Sequence, residues 1–356
     1  MVQGKPRNRR NRVNQNRSGG KSFRRIEALA RSRRKTIRAL DLFCGAGGSA
    51  CGARLGGATP IAGIDMWPLA TKTFALNNDR AKTYTARLES LSAKKVAREV
   101  GRIDLLLASP ECTNHSAAKG NGHRDERSQE TAFQVIRFAR QIEPRWIVVE
   151  NVVGMRRWSR YAEWLEKLKG LGYGNLREIV LDSQDFGVPQ SRRRLFVVGD
   201  RDGVPGLPKA VPAKKKTVRD ILQSGNGDGI AWPFTLVERE GRAEATIERA
   251  KRAIEVLGKR KQFVMVYYGT DGGGGWQTLD RPLRTVTTLD RFALVRPNGK
   301  GHEMRMLQPP ELALAMGFPG DYQWPEAARR DRIHLLGNAV CPPVMQAIVS
   351  ALTGNS

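Results

Sequence analysis

Between Thr36 and Val198 short apolar runs alternate with amphipathic stretches, and no other feature of the chain limits its fold as tightly. Thr36–Leu42, Pro60–Ile64, Ile103–Ala108, Trp146–Val149 and Leu195–Val198 read as buried strands. Between them lie helical patterns, a small-residue one from about Ser49 to Leu55, then Ala70–Asn77, Glu130–Ile142 and Trp158–Leu171. Strands alternating with helices predict βαβ units, hence a mostly parallel sheet with helices on both faces. Polar residues recur just past the strand ends, at Asp65, Cys112 and Glu150. In an open α/β sheet that edge is where ligands bind.

Charge divides the chain further. Its 356 residues carry 61 Lys and Arg against 35 Asp and Glu, a formal +26. Residues 1–38 hold 14 of those bases and one acid, Glu27, so half the excess sits in about a tenth of the chain. Such a balance calls for a polyanionic partner. The first 21 residues are too polar to bury a core and read as a disordered arm, with a basic helix over 22–35 after it. Four Cys with no CxxC pair exclude a disulfide scaffold and an all-Cys zinc site, and no metal site is expected. No apolar run approaches the roughly 20 residues of a bilayer span, so no membrane partner is expected. Residues 201–280 break the alternation with Pro205, Pro208, Pro212, a Lys214–Lys216 run and Gly225, Gly227 and Gly229. They predict a second, smaller, loop-rich domain, with a charged helix near 238–257.

Five stretches carry candidate chemistry. Asp41-Leu-Phe-Cys-Gly-Ala-Gly-Gly48 is a Gly-rich turn after a buried strand, where backbone can approach a nucleotide-like ligand closely. Its spacing is neither GxGxxG nor GxxxxGK[ST], which leaves out a dinucleotide fingerprint and a P-loop. Ser109-Pro-Glu-Cys-Thr-Asn-His-Ser116 puts Cys112 on a polar strand-end loop, the setting of a nucleophile rather than of a core thiol. Glu150-Asn-Val ends the WIVV strand, and a carboxyl there is poised for a raised pKa and proton donation. Gln190-Ser-Arg-Arg-Arg194 sets three Arg beside a buried strand, where they need anionic or carbonyl partners. Leu336-Gly-Asn-Ala-Val-Cys-Pro-Pro343 opens a short apolar helix over 344–352, with Gly337 and Asn338 suited to a tight turn. Cys44, Cys51 and Cys341 read as structural.

Together these motifs resemble the DNA (cytosine-5) methyltransferase family: DLFCGAGG its cofactor loop, SPEC…S its catalytic loop, ENV its Glu motif, QSRRR its Gln-x-Arg-x-Arg motif and GNAVCPPV its closing motif. They stand in the family order over 37–200 and 281–352, and Arg281-Pro-Leu-Arg-Thr285 resembles the end of the family's variable recognition region. The resemblance implies an α/β, Rossmann-like S-adenosylmethionine-dependent methyltransferase with a smaller target-recognition domain. The expected division is a basic arm over 1–35, a catalytic domain over 36–200 plus 330–356, and a recognition domain over 201–329.

It also implies an activity, methyl transfer from S-adenosyl-L-methionine to C5 of a cytosine flipped out of duplex DNA, through a covalent Cys112–C6 adduct. Cys112 is the implied nucleophile, Glu150 the acid at N3 and the exocyclic amine, Arg194 the contact to O2, and Arg192 its support. Phe43, Gly45, Ala46, Gly48, Asp65, Met66 and Asn338 are the implied cofactor residues. Ser116, Gln190, Arg219, Lys214, Lys215 and Lys216 are expected at the DNA, and Arg219, Gln223, Asn226 and Arg242 are available to read base edges. The expected state is a cytoplasmic, nucleoid-associated monomer, with a cognate restriction endonuclease as candidate partner. Two other readings stay open: the tRNA-methylating branch of the family, and a non-catalytic DNA-binding relative. Three positions depart from the family pattern. Glu111 replaces the usual Pro before the cysteine, only Glu89 is available where the family has an adenine-contacting Asp, and Met66 stands where Trp is more frequent.

Overall fold

The computed structural model describes Met1 and residues 36–110, 127–210, 215–225, 231–268 and 274–354, with side chains of the helix at 127–130 excepted. The chain divides into two units, Met1–Thr36 and Ile37–Ser356. The arm and the basic helix expected over 22–35 lie outside the described residues. All the strands and helices named below belong to the second unit.

Its first half is β1 (Ile37–Leu42), α1 (Gly48–Leu55), β2 (Ala58–Asp65), α2 (Pro68–Asn77), β3 (Lys82–Thr85), α3 (Ala93–Val100), β4 (Leu105–Ala108), α4 (Arg127–Ile142), β5 (Trp146–Asn151), α5 (Tyr161–Lys169), β6 (Arg177–Asp182) and β7 (Arg193–Asp200). The seven strands form one sheet in the order β3-β2-β1-β4-β5-β7-β6. Pairing is parallel throughout except at β7, which runs antiparallel to β5 and β6. The expected fold class is therefore observed.

Alternation along the buried strands serves two faces. Leu106, Ala108, Ile147, Val149, Leu195 and Val197 pack toward Val96 of α3, Val135 and Phe138 of α4 and Trp164 of α5. Leu105, Leu107, Val148, Phe196 and Val198 face the opposite way. Their cover includes α1 and the last helix. The residues of α1 are small because it lies almost backbone to backbone on that helix: a Cβ at Gly48 would run into the Val340 carbonyl, and one at Gly56 would come 2.9 Å from the Gln346 carbonyl.

The second half is β8 (Thr235–Leu236), α6 (Glu244–Leu257), β9 (Phe263–Val266), β10 (Trp276–Thr278), β11 (Phe292–Asn298), β12 (Gly301–Met306), α7 (Pro309–Ala315), α8 (Arg329–Asn338) and α9 (Pro342–Thr353). Its strands form an antiparallel five-stranded sheet, β10-β9-β11-β12-β8. One face, with Phe263, Met265 and Val295, takes Ala250 and Ala253 of α6. The other face, with Val264, Val266 and Leu294, joins the same apolar cluster as Phe196 and Val198 of the first sheet.

The stretch Arg329–Thr353 is long and apolar enough, by length and composition, to cross a membrane. That corrects the expectation that no run approaches such a length. Here α8 and α9 are separate helices, broken at Ala339–Cys341, and two thirds of the most apolar window is buried inside the protein.

Candidate active site at the sheet edge

The Gly-rich turn leaves β1 through two residues in the left-handed region, Phe43 (φ 56°) and Gly45 (φ 50°), before Gly47 (φ 78°) caps α1. A non-glycine residue there is strained, and such strain concentrates at functional loops. Asp65, at the end of β2, holds the turn open: its carboxylate accepts from the Gly45 amide at 2.9 Å and from the Trp67 amide at 2.9 Å. Burial raises its pKa, against the opposing effect of those amides and that of Met66. Met66 is 53% exposed beside it, an apolar side chain presented to solvent at the ligand edge. Phe43 is half-buried, and Ala46 and Gly48 are buried. Asn338, exposed at the end of α8, is one residue before the chain turns to run along α1.

Asp41 opens the Gly-rich motif but is not among the implied cofactor residues, and the structure brings it to the same edge. It is 1% exposed; one oxygen accepts from the Ala50 amide at 3.2 Å and the other has no hydrogen-bond partner. Burial pushes its pKa up to about 8, with a further push from Asp65.

Beyond β4 in the sheet, Glu150 lies buried near the end of β5, and Arg194 Nε on neighbouring β7 is 3.2 Å from its carboxylate. Burial raises the Glu150 pKa, and Arg194 and then Arg192 oppose the rise without cancelling it. A small cavity opens at this pair, lined also by Ser183, Phe196, Val340, Cys341 and Val344. Asn151, the next residue, donates from Nδ2 to the Pro110 carbonyl at 3.3 Å. It thereby ties the departure point of the loop that carries the candidate nucleophile to the strand that carries the acid. Cys112, Ser116 and Glu111 themselves lie outside the described residues, as do Lys214 and Asn226.

One expected role needs correction. Gln190 does not face a DNA groove: it is fully buried, its Nε2 donates to the Ala315 carbonyl at 3.0 Å, and its Oε1 accepts from the Val286 amide at 2.8 Å. Arg192 lines the same small cavity as Glu150 and Arg194. Its Nη1 donates to the Val286 carbonyl at 2.9 Å, and its Nη2 to the carbonyls of Gly337 (2.8 Å) and Ala339 (3.2 Å). Both side chains bond backbone from remote segments. Ser191 and Leu283 continue this seam through backbone bonds, with Leu283 N donating to Pro189 O and Ser191 N to Leu283 O. Among the remaining candidates, Lys215, Lys216 and Arg219 are all exposed, and Lys215 Nζ lies 3.3 Å from Asp185.

The arrangement combines a Gly-rich turn flanked by buried Asp41 and half-buried Asp65 with a carboxyl of raised pKa held against a guanidinium, on one edge of a mostly parallel sheet. The family profile of C-5 cytosine-specific DNA methylase matches residues 37–354, and the chain belongs to that family. The Type II methyltransferase M.AgeI of Thalassovita gelatinovora is 30% identical over 51% of this chain and 44% of its own length. The Type II methylase M.HgiDII of Herpetosiphon aurantiacus is 26% identical over 85% of this chain and 90% of its own. The chain spans about half the length of several of the curated relatives it matches. A triple mutant of Spodoptera frugiperda DNMT2 superposes with a TM-score of 0.65 at 18% identity, over 89% of this chain and 99% of that one. Entamoeba histolytica EhMeth does so with 0.65 at 17%, over 90% and 99%. These likenesses bear on the fold. The family and its fold use S-adenosyl-L-methionine, and the residues here fit it: a strained Gly turn, an exposed Met66, and an orphaned buried carboxylate oxygen at Asp41 suited to a cationic ligand.

Proposed function

We propose that the chain methylates C5 of a cytosine flipped out of duplex DNA, with Cys112 bonded to C6 during the reaction. The observation that carries this reading is Glu150, buried with a raised pKa against Arg194 and tied through Asn151 to the start of the cysteine loop. Cytosine C5 is a weak nucleophile until something adds to C6. A Cys112 thiolate supplies that addition, and the carboxyl of Glu150 holds a proton at N3, so charge does not build up on the ring. Arg194 carries the positive charge that fixes O2 and keeps Glu150 oriented. S-adenosyl-L-methionine, when bound by the turn from Phe43 to Gly48 with Asp65, Met66 and Asn338, supplies an electrophilic methyl group. The C5 proton then passes to water, its bonding pair restores the C5–C6 double bond, and the C6–S pair leaves with sulfur, which returns Cys112 as the thiolate.

In this reading the seven-stranded sheet with α8 and α9 is the catalytic part and the five-stranded sheet reads the target. Exposed Lys216 and Arg219, with the arm, would contact phosphates and make binding steeply salt-dependent. The Type II names of the relatives favour duplex DNA and a restriction partner. The test incubates the full chain with labelled S-adenosyl-L-methionine and unmethylated duplex DNA, beside Cys112→Ala, and reads nucleosides by mass spectrometry. 5-Methylcytosine from wild type alone is the expected result. Label on tRNA and not on DNA would move the substrate to RNA; label on neither would favour a non-catalytic DNA-binding protein.

A further inference from the structure

Two acids shielded from solvent flank the cofactor turn. Asp41 stands one residue from the end of β1, and Asp65 ends β2 beside it in the sheet. Both carboxylates raise the pKa of Cys44, which lies between them in the turn. Among the described residues neither forms an ion pair with Lys, Arg or His. Arg54, on α1, acts instead on Cys51 and Tyr322. Asp65 spends its oxygens on the Gly45 and Trp67 amides. Asp41 spends one on the Ala50 amide and leaves Oδ1 buried and bare. A buried polar atom without a partner is rare enough in folded proteins to demand a reason, and a lone buried carboxylate resolves its desolvation by keeping a proton.

We propose that Asp41 is a buried counter-charge for the cationic cofactor, neutral in the free protein and ionised in the complex, so that S-adenosylmethionine binding expels its proton to solvent. This rests on the cofactor reading above. The balance is simple: the Asp41 O–H bond breaks, the electron pair stays on the carboxylate, the proton goes to water, and no bond of the cofactor changes. The other groups facing Asp41 do not share the task equally. Cys44 in the turn and Tyr322 after α7 are held protonated by burial well above their ordinary values, Cys51 on α1 is raised likewise, and Asp65 is already bonded to amides.

Isothermal calorimetry of the full chain tests this. S-adenosylmethionine is titrated without DNA, at pH 6.0 to 7.5, in buffers of different ionisation enthalpy. The expected wild-type result is an enthalpy that varies with the buffer, corresponding to release of close to one proton. Affinity should also rise with pH, by at most about tenfold per unit. Asp41→Asn keeps an acceptor for the Ala50 amide and has no proton to lose, so most of the release and of the pH slope should vanish. The cofactor's own amino group titrates identically in both proteins, and only their difference reports Asp41. Buffer-independent binding by wild type, or equal release from Asp41→Asn, overturns the proposal. If the variant does not fold, S-adenosylhomocysteine, which lacks the sulfonium charge, is titrated into wild type instead. It should release fewer protons, and equal release overturns the proposal. Absence of any binding heat, with no shift in melting temperature, would sink the cofactor reading itself, a distinguishable failure.

Discussion

Two buried Arg–Glu pairs among the described residues are built to opposite specifications. Arg305 and Glu311, on β12 and α7, are 4% and 0% exposed at their side chains. Two guanidinium–carboxylate bonds join them, at 2.7 and 2.8 Å. Glu311 also accepts from the amides of Gln223 and Gln308, and Arg305 donates to the Gln223 carbonyl and lies over the rings of Trp232 and Phe234. Every hydrogen-bonding direction that matters is used. Glu150 and Arg194 meet through one contact at 3.2 Å beside a cavity, with 9% and 17% exposure, and burial keeps Glu150 easier to protonate than an ordinary glutamate. A saturated pair holds backbone in place, since burying charge is tolerable only when its bonds are made. An unsaturated pair keeps capacity in reserve for something that arrives. Asp41 belongs with the second kind.

That contrast can be broken by experiment. The largest effect is expected at Glu150→Gln, which should lower methyl transfer by about 10²–10⁴-fold, the usual worth of a general acid, with the melting temperature unchanged or higher. A thermal loss as large as that from breaking the saturated pair would put the two pairs in one class. Breaking that pair is the next effect. Arg305→Ala strands a buried carboxylate and should cost about 3–5 kcal/mol in denaturant unfolding, and a cost under about 1 kcal/mol would show that the saturation is decorative.

The third prediction concerns pH. An ordinary aspartate ionises near 3.8, but folded Asp41 keeps its proton up to about 8. That proton therefore favours the folded state fully below pH 4, and the contribution is lost as pH rises toward 8. Asp41→Asn should match wild type in melting temperature near pH 4 and exceed it by a gap that widens to about pH 8. A constant gap would mean that Asp41 ionises normally. The smallest effect is Asn151→Ala, which removes the hydrogen bond to the Pro110 carbonyl and the one accepted from the Val152 amide. About 1 kcal/mol of stability is expected to go, with kcat falling more than KM rises, because the loop start rather than a binding contact is loosened.

Burial decides how much of this is legible in the sequence. The strands that fill the middle of the first sheet are continuous apolar runs, and their positions can be read to within a few residues. The same reading misses β3, α3 and β6, because they are partly exposed and their polar residues blur the period: Lys82–Thr85 holds one aromatic among polar residues, and Arg177–Asp182 has no fully buried position. The second sheet reads as loops with strand-like pieces, since β8 and β10 are two and three residues long and get their order from pairing across the chain. At the site, Glu150 and Arg194 are legible because both belong to buried strands. Gln190 misleads because sequence shows that a polar side chain needs partners, and not that Val286, 96 residues on, supplies one. A signal for Arg305 and Glu311 does exist in the spacing of RMLQPPE, a Pro-led helix with a Glu at its third position.

The seam at Arg192 has a consequence for the order in which the molecule is finished. Its guanidinium reaches carbonyls 94, 145 and 147 residues further along the chain. Contacts of such separation form late, after local pieces have settled. During folding β1 to β7 can pair before these three carbonyls reach Arg192. Only when Ala339 has joined the fold is the strand bearing Arg194 locked at this seam.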